Sequence, residues 1–401
     1  MKALQACPDF QDVSDDLIGD ILGGSAAFAS EVLAPLNWAG DQNGAKLTGD
    51  DVIAAPGFKE AYRAFVDGGW QSLAAPTEFG GMGLDYSYQL AFAEELGRIN
   101  CGGVPMGIGV QTDMATPAIA RFGSDELKDK FLRHAISGDM VASIAVSEVH
   151  AGSDVAAIKT KAVKEGDDYV INGSKTYITG GMRANWVSTA VRTGGKGASG
   201  VSMILVPTDA EGFSRTELDR KQGWWASDTA TLYFDNVRVP VENRVGDEGE
   251  GFRIAMAGLD GGRLNIGACS LGGAQRCLDE AVNYTKERKQ FGKAIADFQN
   301  TQFMLADMAT DLEAARALLY MAAVKVTEGA PEKTKFAAMA KRLATDNGSK
   351  IVDQSLQLHG GYGYLQDYPI ERFWRDLRVH SILEGTNQVM RMIVSREMLR
   401  Q

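Results

Sequence analysis

Cysteine and histidine are scarce in this chain of 401 residues, which contains four of each. No two cysteines form a CxxC pair, and no cysteine stands near a histidine at the spacing typical of metal ligands. We therefore expect no metal site. The thiols are predicted to be reduced and mostly buried, as in a cytosol-like compartment. They are Cys7, Cys101, Cys269 and Cys277.

Long apolar runs and an excess of basic charge are also missing. No stretch approaches the roughly 18 apolar residues of a membrane-spanning helix, and the acidic start, MKALQACPDFQDVSDD, resembles neither a secretory signal nor a transit peptide. We expect no membrane association and a bacterial cytoplasmic location, or the mitochondrial matrix for a processed eukaryotic chain. The net charge of −11 argues against non-specific nucleic-acid binding.

The hydrophobic pattern changes twice along the chain. Helical spacing dominates up to about residue 140, period-two alternation follows from 141 to 249, and long helical segments return from 250. Gly166–Asp167 and Asn172–Gly173 both have the composition of hairpin turns. We predict an α+β multidomain protein. Its parts are an N-terminal helical domain (1–140), a middle β-sandwich or barrel (141–249) and a C-terminal four-helix bundle (250–401).

One carboxylate near the carboxyl terminus is a candidate base. Glu384 lies in SILEGTNQ, between an apolar run and a Gly-Thr turn, where Leu383 and Ile382 are expected to shield it from water. Desolvation of that kind raises the pKa of a carboxyl group and makes it a competent base near neutral pH. A lone glutamate is more often a helix cap or a surface residue. The surrounding motif therefore has to decide between the two interpretations.

Two motifs resemble the signatures of the acyl-CoA dehydrogenases, a family of flavoenzymes. QLHGGYGYLQDYPIERFWRDLRVHSILEGTNQVMR (357–391) is similar to the carboxy-terminal signature, in which the Glu of an EGT motif is the catalytic base. IAVSEVHAGSDV (144–155) is similar to the (S/T)E…GSD signature, although Val149 and His150 stand where relatives often have Pro-Gly. The resemblance extends from GGW and APTEFGGMG, near Trp70, to the last helix.

The resemblance implies a cofactor, a reaction and partners. The cofactor is FAD, and the reaction turns a saturated acyl-CoA into the trans-2-enoyl-CoA. Glu384 removes the α-proton while the β-hydride passes to the flavin. The electrons then pass to an electron-transfer flavoprotein. The backbone N–H of Glu384 and a ribityl hydroxyl of FAD are expected to stabilise the thioester oxygen.

The same resemblance assigns the other site residues. Those matching flavin contacts are Val146, Ser147, Gly152, Ser153, Tyr177, Thr179, Arg288, Phe291, Gln299, Gln357, Gly360, Gly361, Thr386 and Gln388. Those matching the acyl-CoA site are Ser153, Asp260, Arg263 and Gly385. Arg288 and the QLHGG turn match contacts made from a neighbouring subunit, which implies a homotetramer. Some relatives carry their base just before Arg263. Gly262 occupies that position here and leaves Glu384 as the expected base.

Several alternatives remain open from the sequence. An aromatic residue on a strand, such as Tyr177, is more often packed in a core than placed against a cofactor. The chain could also be a flavoprotein oxidase of the same superfamily, or a catalytically silent flavin or acyl-CoA binding protein. The subfamily signal is divided, because SILEGTNQVMR resembles isobutyryl-CoA dehydrogenases whereas GWWASDTATLYFDNVRVP resembles longer-chain members.

Overall fold

The computed structural model describes residues 15–48, 51–84, 86–99 and 109–399. Cys7 and Cys101 lie outside these ranges, whereas Cys269 and Cys277 are buried thiols, as predicted. The helices are α1 Asp15–Ala27, α2 Leu36–Asn43, α3 Phe58–Asp67, α4 Tyr86–Ile99, α5 Thr116–Phe122, α6 Asp125–Leu127, α7 Arg133–Ile136, α8 Gly251–Glu287, α9 Gln299–Thr327, α10 Lys333–His359, α11 Ile370–Leu377 and α12 Asn387–Leu399. The strands are β1 Lys46–Thr48, β2 Asp51–Ile53, β3 Ala142–Ala145, β4 Lys161–Glu165, β5 Asp168–Thr179, β6 Trp186–Arg192, β7 Val201–Pro207, β8 Phe213–Glu217, β9 Thr229–Pro240, β10 Arg244–Val245, β11 Lys289–Gln290 and β12 Lys293–Ala294.

The amino-terminal helices pack around a group of aromatic side chains. The rings of Trp70 and Phe92 stack with their centroids 5.1 Å apart, and Phe65 lies 5.9 Å from Phe92 on the other side. Aromatic side chains bury large areas and dominate the energetics of a small core. Helix α4 also packs against α8, where Gly272 leaves room for the α4 backbone: a Cβ at that position would lie 2.0 Å from the carbonyl oxygen of Glu94.

A mixed sheet forms the middle of the chain. Its strand order is β10-β7-β6-β4-β5-β9-β8, and β3 pairs in parallel with β6. Side chains from most of these strands share one core, as expected for a sheet curled into a sandwich. The hairpin predicted at Gly166–Asp167 is confirmed, since this turn joins β4 to β5.

The second hairpin prediction is wrong. Asn172 and Gly173 lie inside β5, where the pairing with β9 shifts register between Ile171 and Gly173. A β-bulge inserts a residue without reversing the chain, and glycine suits it because φ at Gly173 is +147°. The long partner strand β9 therefore overrides the local turn preference.

The carboxy-terminal helices form the predicted bundle. Helix α8 is 37 residues long, and its apolar side chains pack with those of α9 and α10 in one core. Helix α12 packs on α10 through Met390, Ile393 and Ala338. Bundle helices bury their apolar stripes in this way. Among the described residues, no helix combines the length and apolar character that a bilayer crossing requires.

The segment between β8 and β9 joins the three parts of the chain. The carbonyl oxygen of Trp225 accepts a hydrogen bond from Ala45 N at 2.8 Å, and Trp224 N donates to Asp376 Oδ1 at 2.7 Å. Asp228 Oδ2 accepts from Met182 N at 2.8 Å. Burial raises the pKa of Asp376 to about 7, against the opposing effects of the Trp224 N–H and of a neighbouring arginine.

Candidate active site

Glu384 and Gly385 form a turn with an uncommon backbone conformation. Their φ angles are +56° and +90°, and a non-glycine residue at positive φ is held there only by its surroundings. The Glu384 carboxylate reaches helix α8 at Gly262, where an added Cβ would lie 3.0 Å from Oε2. The carboxylate therefore has room because position 262 lacks a side chain. Residues 262 and 384, the two positions compared as the base in the sequence analysis, therefore adjoin each other here.

Two buried cations hold the backbone of this turn. Arg263 Nε donates to the carbonyl oxygen of Glu384 at 3.3 Å, and Lys341 Nζ donates to the carbonyl oxygen of Gly385 at 3.0 Å. Charge-assisted hydrogen bonds of this kind are stronger than neutral ones. Because the two carbonyls are consecutive, these bonds restrain both peptide planes that follow the carboxylate-bearing Cα.

Each cation is itself anchored. Arg263 Nη1 lies 3.0 Å from Asp260 Oδ1, and Asp260 Oδ2 accepts a hydrogen bond from Thr334 Oγ1 at 2.7 Å. Lys341 is completely buried and also donates to Asn387 Oδ1 at 3.0 Å. Burial lowers the pKa of Lys341 to about 8, although the nearby Glu384 carboxylate opposes that shift. The ammonium form therefore prevails at neutral pH.

The shielding expected around the base is present only in part. Leu383 packs against the bundle core. The prediction is wrong for Ile382, which is 52% exposed in the single chain. Ile382 comes directly after the 3-10 turn Arg378–Ser381, and at that position its side chain points into solvent. The hydroxyl of Tyr86 donates to the carbonyl oxygen of Gly261, the residue before Gly262, and so joins α4 to α8 beside the base.

The 144–155 signature is attached to β5 by a buried ion pair. Lys175 Nζ lies 2.9 Å from Glu148 Oε1 and donates to the Val146 carbonyl oxygen at 3.0 Å. Burial lowers the pKa of Lys175 to about 8 against the effect of Glu148. Burial also pushes the pKa of Glu148 upward, but Lys175 and two backbone N–H groups outweigh it and lower the pKa overall. Both groups are therefore charged at neutral pH and hold the loop against the strand.

The signature residues on the sheet come together around this pair. Ser147 O accepts a hydrogen bond from Thr176 N at 3.0 Å, and Ser143 Oγ donates to Thr179 O at 2.6 Å. Gly152 and Ser153 lie exposed in the same loop. The departures noted at positions 149 and 150 occupy the tip of a tight turn closed by two backbone hydrogen bonds between residues 148 and 151. The loop thus keeps a defined shape without Pro-Gly.

Tyr177 is not a core residue. It is 72% exposed, its φ is +60°, and the β5–β9 register shifts between Lys175 and Ile178. A bulge re-aims the side chain that it carries, and here it turns an aromatic ring into solvent beside Thr179. Packing in a core, the more common role of a strand aromatic, does not apply.

A second group of predicted flavin contacts lies at the other end of the bundle. Arg288 is at the end of α8, and its guanidinium lies 5.6 Å from the ring centroid of Tyr362 in the turn that follows Gly360 and Gly361. Arg288 is 25 residues after Arg263, which at the helical rise of about 1.5 Å per residue separates them by about 38 Å. Gln357 stands at the same end, on the last turn of α10.

The remaining predicted contacts divide between the two ends. Phe291 projects from the β11–β12 hairpin beside Arg288 and is 93% exposed. Gln299 opens α9 and is also exposed. Thr386 follows the base turn, and its Oγ1 accepts a hydrogen bond from Val389 N at 3.2 Å, as a helix cap does. Gln388 is exposed next to it.

Comparison with known proteins gives matches over most of the chain. Residues 26–139, 143–237 and 249–399 match the N-terminal, middle and C-terminal domains of acyl-CoA dehydrogenase. The mitochondrial isobutyryl-CoA dehydrogenase of Dictyostelium discoideum is 48% identical over 71% of this chain and 69% of its own length. This chain belongs to the acyl-CoA dehydrogenase family.

Solved structures agree with this assignment. Butyryl-CoA dehydrogenase from Megasphaera elsdenii superposes with a TM-score of 0.90, at 35% identity, over 97% of this chain and 99% of that chain. A chain from the structure of the electron transferring flavoprotein of Acidaminococcus fermentans also gives a TM-score of 0.90, at 38% identity and the same coverage. The protein is thus an oxidoreductase of the acyl-CoA dehydrogenase fold.

FAD is the cofactor of acyl-CoA dehydrogenases, and the exposed side chains of this chain suit it. Tyr177 presents an aromatic face beside backbone groups of the 144–155 signature, as a flat ring system requires. Arg288 offers a guanidinium fork, which bonds the oxygens of a pyrophosphate in pairs. The residue-by-residue roles at the flavin stay predictions.

Sequence reasoning missed several residues of this acyl-CoA dehydrogenase site. Lys341 and Lys175 are both fully buried, and Thr334 and Tyr86 support α8 from neighbouring helices. Lys341 had a detectable signal, because it falls at helical spacing on a face otherwise made of small buried residues. These are Ala337, Ala340, Ala344 and Gly348. A charge at such a position is rare unless it is paired.

Proposed function

We propose that this acyl-CoA dehydrogenase converts a saturated acyl-CoA into the trans-2-enoyl-CoA and that Glu384 removes the α-proton. The observation that carries the proposal is the Glu384 carboxylate placed over Gly262, on a turn whose two carbonyls are bonded by buried cations. A general base works only within hydrogen-bond reach of the proton that it abstracts, so it must be held in one position. The support is therefore geometric and independent of the motif.

The proton transfer needs more than a base, because the α-proton of a thioester is weakly acidic. Charge that develops on the thioester oxygen has to be met by donors already in place. We propose the backbone N–H of Glu384 as one donor, since the restrained turn fixes its direction. When bound, FAD supplies the acceptor for the β-hydride. Ser153, Asp260, Arg263 and Gly385 are proposed to line the acyl-CoA site.

The flavin site is proposed to be completed by a second copy of the chain. Val146, Ser147, Gly152, Ser153, Tyr177 and Thr179 would contact the flavin ring and its neighbouring groups, with Thr386 and Gln388 close to the base. Arg288 lies about 38 Å from Arg263 along one helix, too far to serve a flavin that reacts beside Glu384 of the same chain. Arg288, Phe291, Gln299 and the turn 357–361 would instead serve the neighbouring subunit of a homotetramer.

We propose an electron-transfer flavoprotein as the acceptor of the electrons. The support is the likeness to a chain from the structure of such a flavoprotein, together with the family assignment. Two relatives are named for four-carbon acyl groups, isobutyryl and butyryl, so these thioesters come first among the substrates to test. The buried thiols Cys269 and Cys277 agree with a reducing compartment such as a cytoplasm or a mitochondrial matrix.

Anaerobic flavin bleaching tests the proposal. The purified yellow protein is mixed with acyl-CoAs from C4 to C16, straight and branched, and the flavin absorbance is followed. Bleaching by at least one thioester is expected, followed by reoxidation by an electron-transfer flavoprotein faster than by oxygen. Rapid oxygen uptake would favour an oxidase instead. A flavin that no acyl-CoA bleaches would contradict the proposed reaction and favour a binding protein.

A further inference from the structure

Two carbonyl oxygens in succession accept hydrogen bonds from buried cations at the base turn, and only one of those cations belongs to a motif already considered. Arg263 bonds the carbonyl oxygen of Glu384, while Lys341, from a different helix, bonds that of Gly385. Lys341 is 0% exposed. A fully buried lysine is costly unless its hydrogen bonds are made.

Lys341 donates two hydrogen bonds to the segment that carries the base. Besides Gly385 O it bonds Asn387 Oδ1 at 3.0 Å, and Asn387 Nδ2 in turn donates to Thr345 Oγ1 at 2.9 Å and to Asp346 Oδ1 at 2.7 Å. Asn387 is the first residue of α12, two residues after Gly385. The lysine thereby ties both the middle and the end of the Glu384–Asn387 segment to helix α10.

The turn needs such support because its backbone conformation is unfavourable. A glutamate at positive φ relaxes to an ordinary conformation unless neighbours prevent it. A change of φ at Glu384 to a negative value would redirect its side chain and move the carboxylate away from Gly262. The charged groups that face Lys341 are the Glu384 carboxylate, Arg263 from α8 and Asp346 from its own helix. Its positive charge therefore also lies in the field of the base.

We propose that Lys341 is a positioning residue for the proton transfer, holding the Glu384–Gly385 turn in the conformation that presents the base. This inference rests on the proposed function. Lys341 acts through Glu384 and does not itself meet the substrate. Its loss would misplace the base while leaving the flavin contacts on the sheet and at Arg288 intact.

The matched pair Lys341→Met and Lys350→Met tests this role. Both lysines lie on α10, but Lys350 is half-exposed and pairs with Asp311 at 2.8 Å on the surface. Lys341→Met should keep FAD and the acyl-CoA concentration for half-maximal bleaching, yet lower the bleaching rate at saturation by about 10–100-fold, since a small misplacement of a reacting group costs that much. Lys350→Met should stay within about twofold of the wild type.

A double-variant cycle separates positioning from general structural damage. If Lys341 acts through the base, adding Lys341→Met to Glu384→Gln should lower the slow residual bleaching rate by less than about twofold. An equal loss on both backgrounds would overturn the proposal, as would near-wild-type bleaching by folded, flavin-loaded Lys341→Met.

A second variant covers a failure to fold. If Lys341→Met does not fold, Lys341→Gln keeps the buried site polar, but its amide nitrogen stands one atom short of the lysine ammonium and so cannot make the 3.0 Å bond to Gly385 O. By the same measurements, an impaired rate with FAD retained supports positioning, and a wild-type rate overturns it. If no acyl-CoA bleaches the flavin of the wild-type protein, the proposed function itself is refuted. If the wild-type flavin is bleached and Lys341→Met bleaches equally fast, only the role of Lys341 is refuted.

Discussion

The two ends of the helix bundle differ in how completely one chain builds them. At the base end, Glu384 rests on α8 and its turn is held by Arg263 and Lys341, both buried. At the far end, about 38 Å from Arg263, Arg288 at the end of α8 and Phe291 in the hairpin beyond it lie exposed. Proton chemistry can thus be organised by the packing of one chain, whereas the proposed dinucleotide contacts need a second copy to form a site.

Removing the base, at the base end of the bundle, should have the largest effect. Glu384→Gln keeps the size of the side chain but cannot accept the proton, and loss of a general base typically costs about 10²–10⁴-fold in rate. FAD content and acyl-CoA binding should be unchanged. Stopped-flow bleaching under anaerobic conditions measures the rate. Glu165→Gln, in an exposed pair with Arg238, is the control and should behave as wild type.

Moving the base across the contact with α8 sharpens the same comparison. Because position 262 adjoins the Glu384 carboxylate, Gly262→Glu combined with Glu384→Gly should bleach faster than Glu384→Gly alone, with an altered chain-length preference. Bleaching of Glu384→Gln at a near-normal rate would refute the mechanism. If the double variant bleached no faster than Glu384→Gly, the mechanism would stand, and only the inferred geometry beside Arg263 would be weakened.

The buried pair behind the base should come next in effect. Asp260→Ala and Arg263→Ala each leave a buried charge without its partner at 3.0 Å, and Arg263→Ala also releases the Glu384 carbonyl. We expect kcat/KM to fall by about 10–100-fold with FAD retained. Arg253→Ala, which breaks an exposed pair with Glu250 at the same i,i+3 spacing, is the control. If either variant lost its flavin but turned over normally after reconstitution with FAD, the placement of Asp260 and Arg263 at the acyl-CoA site would be wrong.

At the far end the expected loss is of cofactor, not of chemistry. Arg288→Ala removes the proposed charge-assisted bonds to a pyrophosphate, so FAD affinity should fall roughly tenfold or more and the oligomer should weaken. Arg276→Ala, on the same helix and paired with Glu280 on the surface, should change neither. Flavin titration and analytical ultracentrifugation provide the two readings. A monomer that retains FAD fully would contradict the shared site.

The smallest predicted effect concerns stability and pH. The pKa of Asp376 is raised to about 7 by burial, whereas an unfolded aspartate titrates near about 3.9. The folded state therefore binds more protons between these values, and the free energy of unfolding falls as pH rises from about 4 to about 7. Asp376→Asn removes this dependence while the amide can still accept the Trp224 N–H.

The Tm of Asp376→Asn minus that of the wild type should therefore increase as the pH is raised from 5 to 8. We expect a gain of a few degrees, because each kcal/mol shifts Tm by roughly 2–4 °C for domains of about 150–250 residues. Asp353→Asn is the control, since Asp353 accepts from Trp374 Nε1 at the surface. A wild-type Tm that keeps a constant offset from Asp376→Asn across this range would contradict the assignment.

Local signals in the sequence predicted the elements that depend on few distant partners. The Gly166–Asp167 turn needs only its two flanking strands, and the long helices show their own periodicity. The hairpin prediction at Asn172–Gly173 was wrong because pairing with β9 on both sides of this dipeptide keeps β5 extended. The direction of Tyr177 and the exposure of Ile382 also depend on distant packing, which no local pattern encodes.

The candidate site was predictable where a motif names the residue and not where packing supplies it. Glu384, Asp260 and Arg263 follow from their motifs and lie together in the structure. Lys341 comes from a helix more than 40 residues away in sequence, and its role depends on the carbonyl that it meets. Only the position of Lys341 on an apolar helix face gave a hint of its burial.

Mixing two impaired variants, one lacking the base and one weakened in FAD binding, tests most directly whether the two ends belong to different chains. Glu384→Gln and Arg288→Ala subunits are unfolded together, refolded with limiting FAD and assayed for bleaching by acyl-CoA. A hybrid dimer would contain one site with both an intact Glu384 and an intact Arg288. Activity should therefore return to roughly a quarter of the wild-type value after random pairing. Activity no higher than the sum of the two separate variants would contradict a site shared between chains.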